Sequence, residues 1–93
     1  MAIQRYHETP AAAIREGAER RLGHTDNLML VIVDFYDGPK EQPDPPHSHP
    51  HEQVSYVAEG ELLFLMDDQQ TPLRPGDVFL IPSGKPHSIQ QLT

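Results

Sequence analysis

His47-Ser48-His49-Pro50-His51-Glu52-Gln53-Val54-Ser55-Tyr56-Val57 is the stretch on which the reading of this 93-residue chain turns. In an extended backbone side chains alternate between faces, so His47 and His49 project from one face about 6.6 Å apart at roughly 3.3 Å per residue. That separation lets two imidazole nitrogens converge on an ion at about 2.1 Å from each. Gln53 shares their parity and offers an amide oxygen as a third donor. Glu52 is the competing carboxylate, of the wrong parity unless Pro50 introduces a bulge. His51 also has the right parity, and either a solvent-facing rim position or a supporting role behind the ligands fits it. His87 follows the corner Pro82-Ser83-Gly84-Lys85-Pro86, as a ligand from a neighbouring strand would. The competing reading is a surface histidine cluster in a polar, proline-rich loop.

Outward from this stretch the chain reads as short strands between turns. Residues 28–36 (LMLVIVDFY) are β-branched and aromatic, preceded by Thr25-Asp26-Asn27 and stopped by Asp37-Gly38-Pro39. Both faces of this strand are apolar, so cover on both sides is expected, with a homodimer interface on the outer one. Residues 38–50 hold five prolines in 13 positions. Such a segment cannot sustain a sheet ladder and is expected to be an ordered loop delivering the histidines. Residues 54–66 break at Glu59-Gly60, predicting a strand, a tight turn and a second strand. Asp67-Asp68-Gln69-Gln70 reads as a hairpin tip, Arg74-Pro75-Gly76-Asp77 as a turn, residues 78–81 as a short strand and residues 87–91 as another. Strands at this spacing predict an all-β sandwich or barrel. At the N-terminus, Thr9-Pro10-Ala11-Ala12-Ala13 has the form of a helix start. A strand over residues 18–23, paired across the Thr25-Asp26-Asn27 turn, fits the following residues better.

The spacing His47-x-His49-x3-Gln53-x6-Gly60, followed by Gly76-x5-Pro82-x-Gly84-x2-His87, resembles the two signature motifs of the cupin superfamily. The resemblance covers residues 18–93. It implies a small antiparallel, jelly-roll-like β-barrel with one divalent transition-metal ion (Ni, Mn, Fe, Co or Zn) held by His47, His49, Gln53 and His87. On this reading residues 1–93 are a single domain, residues 1–17 forming a short helix or extended arm and the barrel starting near residue 18. Three departures matter. The usual Glu of the first motif is Gln53, the usual Asn closing the second is Gln91, and the loop from Gly38 to His47 is longer than the pattern. Three neutral imidazoles and a neutral amide leave the site at the ion's full +2 charge, which favours anionic ligands.

The run from His47 to Val57, with Gly60-Glu61-Leu62 after it, is similar to the small pectin-degradation cupins that linearise 4,5-unsaturated uronates. That subgroup also uses a His-His-Gln-His site. Its acid–base residues lie on a strand beyond the second motif, whereas the sequence in hand ends at Thr93; either the chain continues past that point or the closing strand is missing, and the catalytic acid–base residues stay unassigned. The resemblance implies a small anionic substrate, an unsaturated uronate, with Gln91, Tyr36 and Phe79 as substrate-side candidates. Asp34 and Tyr36 share a strand face; the bland alternative for them is a strand end in solvent. A dioxygenase-type cupin and a non-catalytic sugar-binding barrel are the other readings.

The composition excludes several classes. Seven basic against 14 acidic side chains give a formal charge of −7, without the basic footprint of a nucleic-acid or anionic-membrane binder. With no cysteine, disulfides and thiolate chemistry are ruled out. No apolar run approaches the roughly 18 residues of a membrane span, and a cytoplasmic protein is expected.

Overall fold

The computed structural model describes residues 2–93, in two compact units, Met1–Asp37 and Gly38–Thr93. Strands dominate both. In the first unit a single 3-10 turn, Tyr6–Glu8, precedes β1 (Ala12–Arg15), β2 (Ala18–His24) and β3 (Met29–Phe35), which form one antiparallel sheet in that order. The N-terminal ambiguity resolves toward extended structure: the alanines after Pro10 enter β1 instead of a helix, because pairing with β2 supplies partners that an isolated short helix lacks. β2 and β3 pair across the expected turn, from Ala18↔Phe35 to His24↔Met29. Gly17 closes the β1–β2 turn at φ +84°, where a Cβ would run into the Asp37 carboxyl.

The arm before β1 is pinned by one cluster. The Tyr6 hydroxyl donates to Asp34 at 2.6 Å, and Arg21 donates to the same carboxylate at 2.9 Å with its guanidinium 4.1 Å from the centre of the Tyr6 ring. The hydrogen bond to Asp34 holds the Tyr6 phenol above its ordinary pKa.

The second unit has two sheets. β4 (Gln53–Tyr56) pairs with β7 (Val78–Ile81), and β5 (Leu62–Met66) lies between β6 (Gln69–Leu73) and β8 (His87–Gln91), all antiparallel. The chain break at Glu59-Gly60 is therefore a crossing between sheets, and β4 and β5 do not pair. The hairpin tip is shorter than expected. Asp67 and Asp68 form the whole turn, at φ 56° and 61°, while Gln69 and Gln70 already belong to β6. β6 contains Pro72 and has no strand signature in sequence; it is tolerated because β6 is an edge strand, where a missing N–H breaks no ladder on the outer side.

The inward faces carry the core of this unit: Val57, Phe64 and Ile81 are buried, and the Phe64 and Phe79 rings pack at a centroid distance of 4.6 Å. Every residue from Leu28 to Val33 is exposed in the single chain, leaving the apolar faces of β3 open. On β4–β7 the outward pairs Val54↔Leu80 and Tyr56↔Val78 are exposed as well.

Two consecutive left-handed residues in a two-residue hairpin favour glycine at the second position, since Asp carries a Cβ penalty there. Asp68→Gly should stabilise the protein by about 0.5–1 kcal/mol, raising Tm by a few degrees. A lower Tm in thermal denaturation would contradict the turn geometry.

Candidate metal centre

Local backbone geometry, more than strand regularity, brings the histidines together. The proline-rich segment before them is tied to β8 at intervals, through Lys40 N–H to Gln91 O (2.9 Å), Asp44 N–H to Ile89 O (2.9 Å) and His47 N–H to His87 O (3.0 Å). The prolines occupy the positions between these donors, so the segment expected to hold no ladder follows β8 with a sparse one. His87 N–H returns a bond to His47 O at 3.0 Å, closing a two-bond bridge between the two histidines. On the other side, Gly84 N–H donates to His49 O at 2.8 Å and the Ser83 hydroxyl to Pro50 O, fixing the bend at residues 50–51 against the corner before His87.

The result is a triangle of imidazoles. Ring centroids are 5.7 Å apart for His47–His49, 4.3 Å for His47–His87 and 4.9 Å for His49–His87. One nitrogen from each ring lies within 4.8 Å of the other two, and among the described residues no carboxylate joins the group. Glu52 is exposed and outside it, so the parity argument against Glu52 agrees with its position. Gln53 sits beside the triangle: its Oε1 is 2.9 Å from His49 Nε2 and its Nε2 donates to the Ser55 hydroxyl at 2.8 Å.

The hydrogen bonds on the far side of the rings bear on whether a cation fits. His87 Nδ1 lies 2.8 Å from Lys85 O and His49 Nδ1 lies 2.8 Å from His51 O; carbonyls only accept, so both Nδ1 atoms carry the proton. In the neutral rings Nε2 is then a bare lone pair. His87 Nε2 is buried and has no hydrogen-bond partner. His49 Nε2 faces the amide oxygen of Gln53, so two acceptors meet at hydrogen-bond distance. A buried unpaired acceptor is unfavourable by about 1–3 kcal/mol, and a cation shared by these lone pairs removes the penalty. The donor set therefore fits a divalent transition metal. His51, with either of two roles open to it in sequence, supports from behind. Its carbonyl orients His49, and its ring stacks on the His49 ring at 3.9 Å with planes 4° apart.

The His47 ring packs on the buried His87 ring, and this desolvation holds its pKa below the ordinary value, aided by the positive potential of His87 and His49 and opposed by Asp44. Of the substrate-side candidates, Gln91 is buried on the β8 face that also carries His87 and Ile89, opposite Leu62 of β5. Phe79 packs on Phe64. Tyr36 belongs to the N-terminal unit, its exposed hydroxyl 3.5 Å from Glu19, and Asp34 is engaged by Tyr6 and Arg21.

Two outcomes follow from this geometry. Adding Ni2+ to apoprotein should raise Tm, by an amount equivalent to about 2.7 kcal/mol at one hundred times Kd. His87→Ala should weaken the affinity at least about tenfold in calorimetry; an unchanged affinity would place the ion elsewhere. For the apoprotein, the depressed His47 pKa means that the unfolded chain binds more protons below about pH 6.5. The His47 contribution is full above that pH and is lost as pH falls toward the folded pKa. Tm should therefore drop less steeply between pH 7 and 5.5 in His47→Ala than in the parent; equal slopes would contradict the shift.

The pectin degradation protein KdgF of Dickeya dadantii (strain 3937) is 30% identical over 87 residues, covering 91% of this chain and 76% of that protein. The solved structure of KdgF from Halomonas sp. superposes with a TM-score of 0.80 at 29% identity, covering 94% of this chain and 78% of that one. The 3-hydroxyanthranilate 3,4-dioxygenase of Mus musculus is 28% identical over 93 residues, but the match spans 31% of that longer protein. Residues 31–93 match the family described as Cupin domain, a span that contains the histidine triangle, Gln53 and all five strands after β3. With that match, an all-β antiparallel fold and two histidine segments joined by a backbone bridge, the chain belongs to the cupin family.

Proposed function

We propose that this protein is a metal-dependent cupin that opens and linearises 4,5-unsaturated uronates in pectin or alginate breakdown. The observation that carries the reading is the carboxylate-free donor set, three clustered imidazoles, of which His49 and His87 turn bare Nε2 atoms inward, and the Gln53 amide oxygen beside them, in a chain similar to KdgF over most of its length. His47, His49, His87 and Gln53 would hold one divalent ion from among Ni, Mn, Fe, Co and Zn, a choice that such a neutral N/O set leaves to availability. When bound, the ion would supply an uncompensated positive charge for the uronate carboxylate and the sugar oxygens. The chain's own groups orient the ligands. Lys85 O and His51 O fix the tautomers of His87 and His49, and Ser55 holds the Gln53 amide. Gln91 and Phe79 are read as parts of the substrate-side wall, Gln91 on the His87 face of β8 and Phe79 opposite Ser55 in the β4–β7 pair.

On this reading residues 1–93 act as one domain, and the protein works as a cytoplasmic homodimer. The exposed apolar faces of β3 and of β4–β7 are the surfaces that a second copy would cover. Its charge of −7 matches neither a nucleic-acid nor a membrane partner. A second reading, an oxygen-using cupin, draws on the similarity to the mouse dioxygenase.

Metal-loaded protein given 4,5-unsaturated galacturonate should remove its ultraviolet absorbance faster than buffer, without oxygen uptake, and His49→Ala should not. A rate equal to buffer with the metal bound would reject uronate linearisation, and oxygen uptake with 3-hydroxyanthranilate would favour the second reading.

A further inference from the structure

Gln53 and Ser55 stand two residues apart on β4, so their side chains share one face of the strand, and both are half-buried. Their cross-strand partners on β7 are Ile81 and Phe79, whose side chains carry no hydrogen-bonding group. The Gln53 amide is engaged at both ends by other groups. Its Oε1 lies 2.9 Å from His49 Nε2, and its Nε2 donates to the Ser55 hydroxyl at 2.8 Å.

An amide poses a problem that a carboxylate in the same place does not. Its two ends are alike in size and opposite in chemistry, since the oxygen offers lone pairs and the NH2 offers only protons. Only the oxygen can ligate, so turning it toward the histidines sends the NH2 the other way, where an acceptor must meet it. A hydroxyl serves, because its proton rotates aside and leaves a lone pair for the amide N–H. Ser55 supplies that hydroxyl. A cation on the oxygen draws charge from the whole amide, which strengthens the bond to Ser55 when the ion is present.

We propose that Ser55 is the positioning residue that makes Gln53 usable as a metal ligand, an inference that rests on the reading of Gln53 as the fourth donor. A carboxylate presents oxygen at either end and carries no N–H to satisfy, so the need for Ser55 comes with the amide. Without the hydroxyl, an amide held by its oxygen on the ion keeps an NH2 with no acceptor among apolar neighbours. That cost falls on the loaded state, because in the apoprotein the half-buried Gln53 side chain can turn its NH2 to water.

The test is a double-mutant cycle on Ni2+ affinity, measured by calorimetry with Ser55→Ala, Gln53→Glu and the two together, with apoprotein Tm as the folding control for each. Ser55→Ala alone should weaken Ni2+ binding by about tenfold or more, the loss typical of removing a ligand's supporting partner. In the Gln53→Glu background the same change should alter affinity by no more than about twofold, the scatter of independent sites. Ser55→Thr keeps a hydroxyl on a side chain suited to a strand and should restore most of the affinity. A merely structural role for Ser55 would weaken binding equally in both backgrounds, and that result overturns the proposal. So does parent-like affinity in Ser55→Ala while Gln53→Ala is weakened. If Gln53→Ala itself binds Ni2+ as tightly as the parent, Gln53 is no donor, and the reading of the site falls together with this inference.

Discussion

Two backbone hydrogen bonds between His47 and His87, each 3.0 Å, organise the rest of the site. They join residues forty positions apart in the chain without using either imidazole, so both side chains remain available to a ligand. The bridge also sets the register of everything near it. Asp44 and Lys40 meet β8 upstream, and Met66 of β5 lies opposite His87 on the other edge of the same strand. A slip of one residue would turn His87, Ile89 and Gln91 to the opposite face of β8 and disperse the triangle.

The remaining contacts convert proximity into chemistry. A histidine ligand needs its outer nitrogen to hold the proton and its inner one to be bare, and carbonyls of Lys85 and His51 impose this on His87 and His49. The energetic sign of the site then depends on the ion. Without one, a buried imidazole nitrogen lacks a partner and two acceptors face each other; with one, the same atoms become donors to a shared charge. Replacement of the usual carboxylate by Gln53 leaves that charge undiminished, which favours an anionic ligand despite the chain's net charge of −7.

Much of the fold was legible because it is written in local chemistry. β3, β5 and β7 are apolar runs bounded by turn residues, β8 follows the Pro/Gly corner at residues 82–86, and the parity of His47, His49 and Gln53 is a property of extended backbone. What sequence could not show was decided by partners. β6 is a strand because β5 is beside it, and Pro72 hides it because edge position, not residue type, makes proline acceptable there. β4 pairs with β7 and not with the adjacent β5, since pairing between sheets is a matter of tertiary packing. The proline-rich segment reads as a loop because its bonding N–H groups are few and far apart, yet Lys40, Asp44 and His47 are enough to hold it on β8. The apolar faces of β3 call for cover, and the single chain leaves them open.

The account stands on four side chains meeting at one ion. X-ray crystallography of the Ni2+-loaded protein, with anomalous scattering recorded at the nickel edge, tests that directly. The account predicts a single strong anomalous peak about 2.1 Å from the Nε2 atoms of His49 and His87, a ring nitrogen of His47 and the Oε1 of Gln53. A peak at any other group, or coordination by Glu52 in place of Gln53, would contradict it.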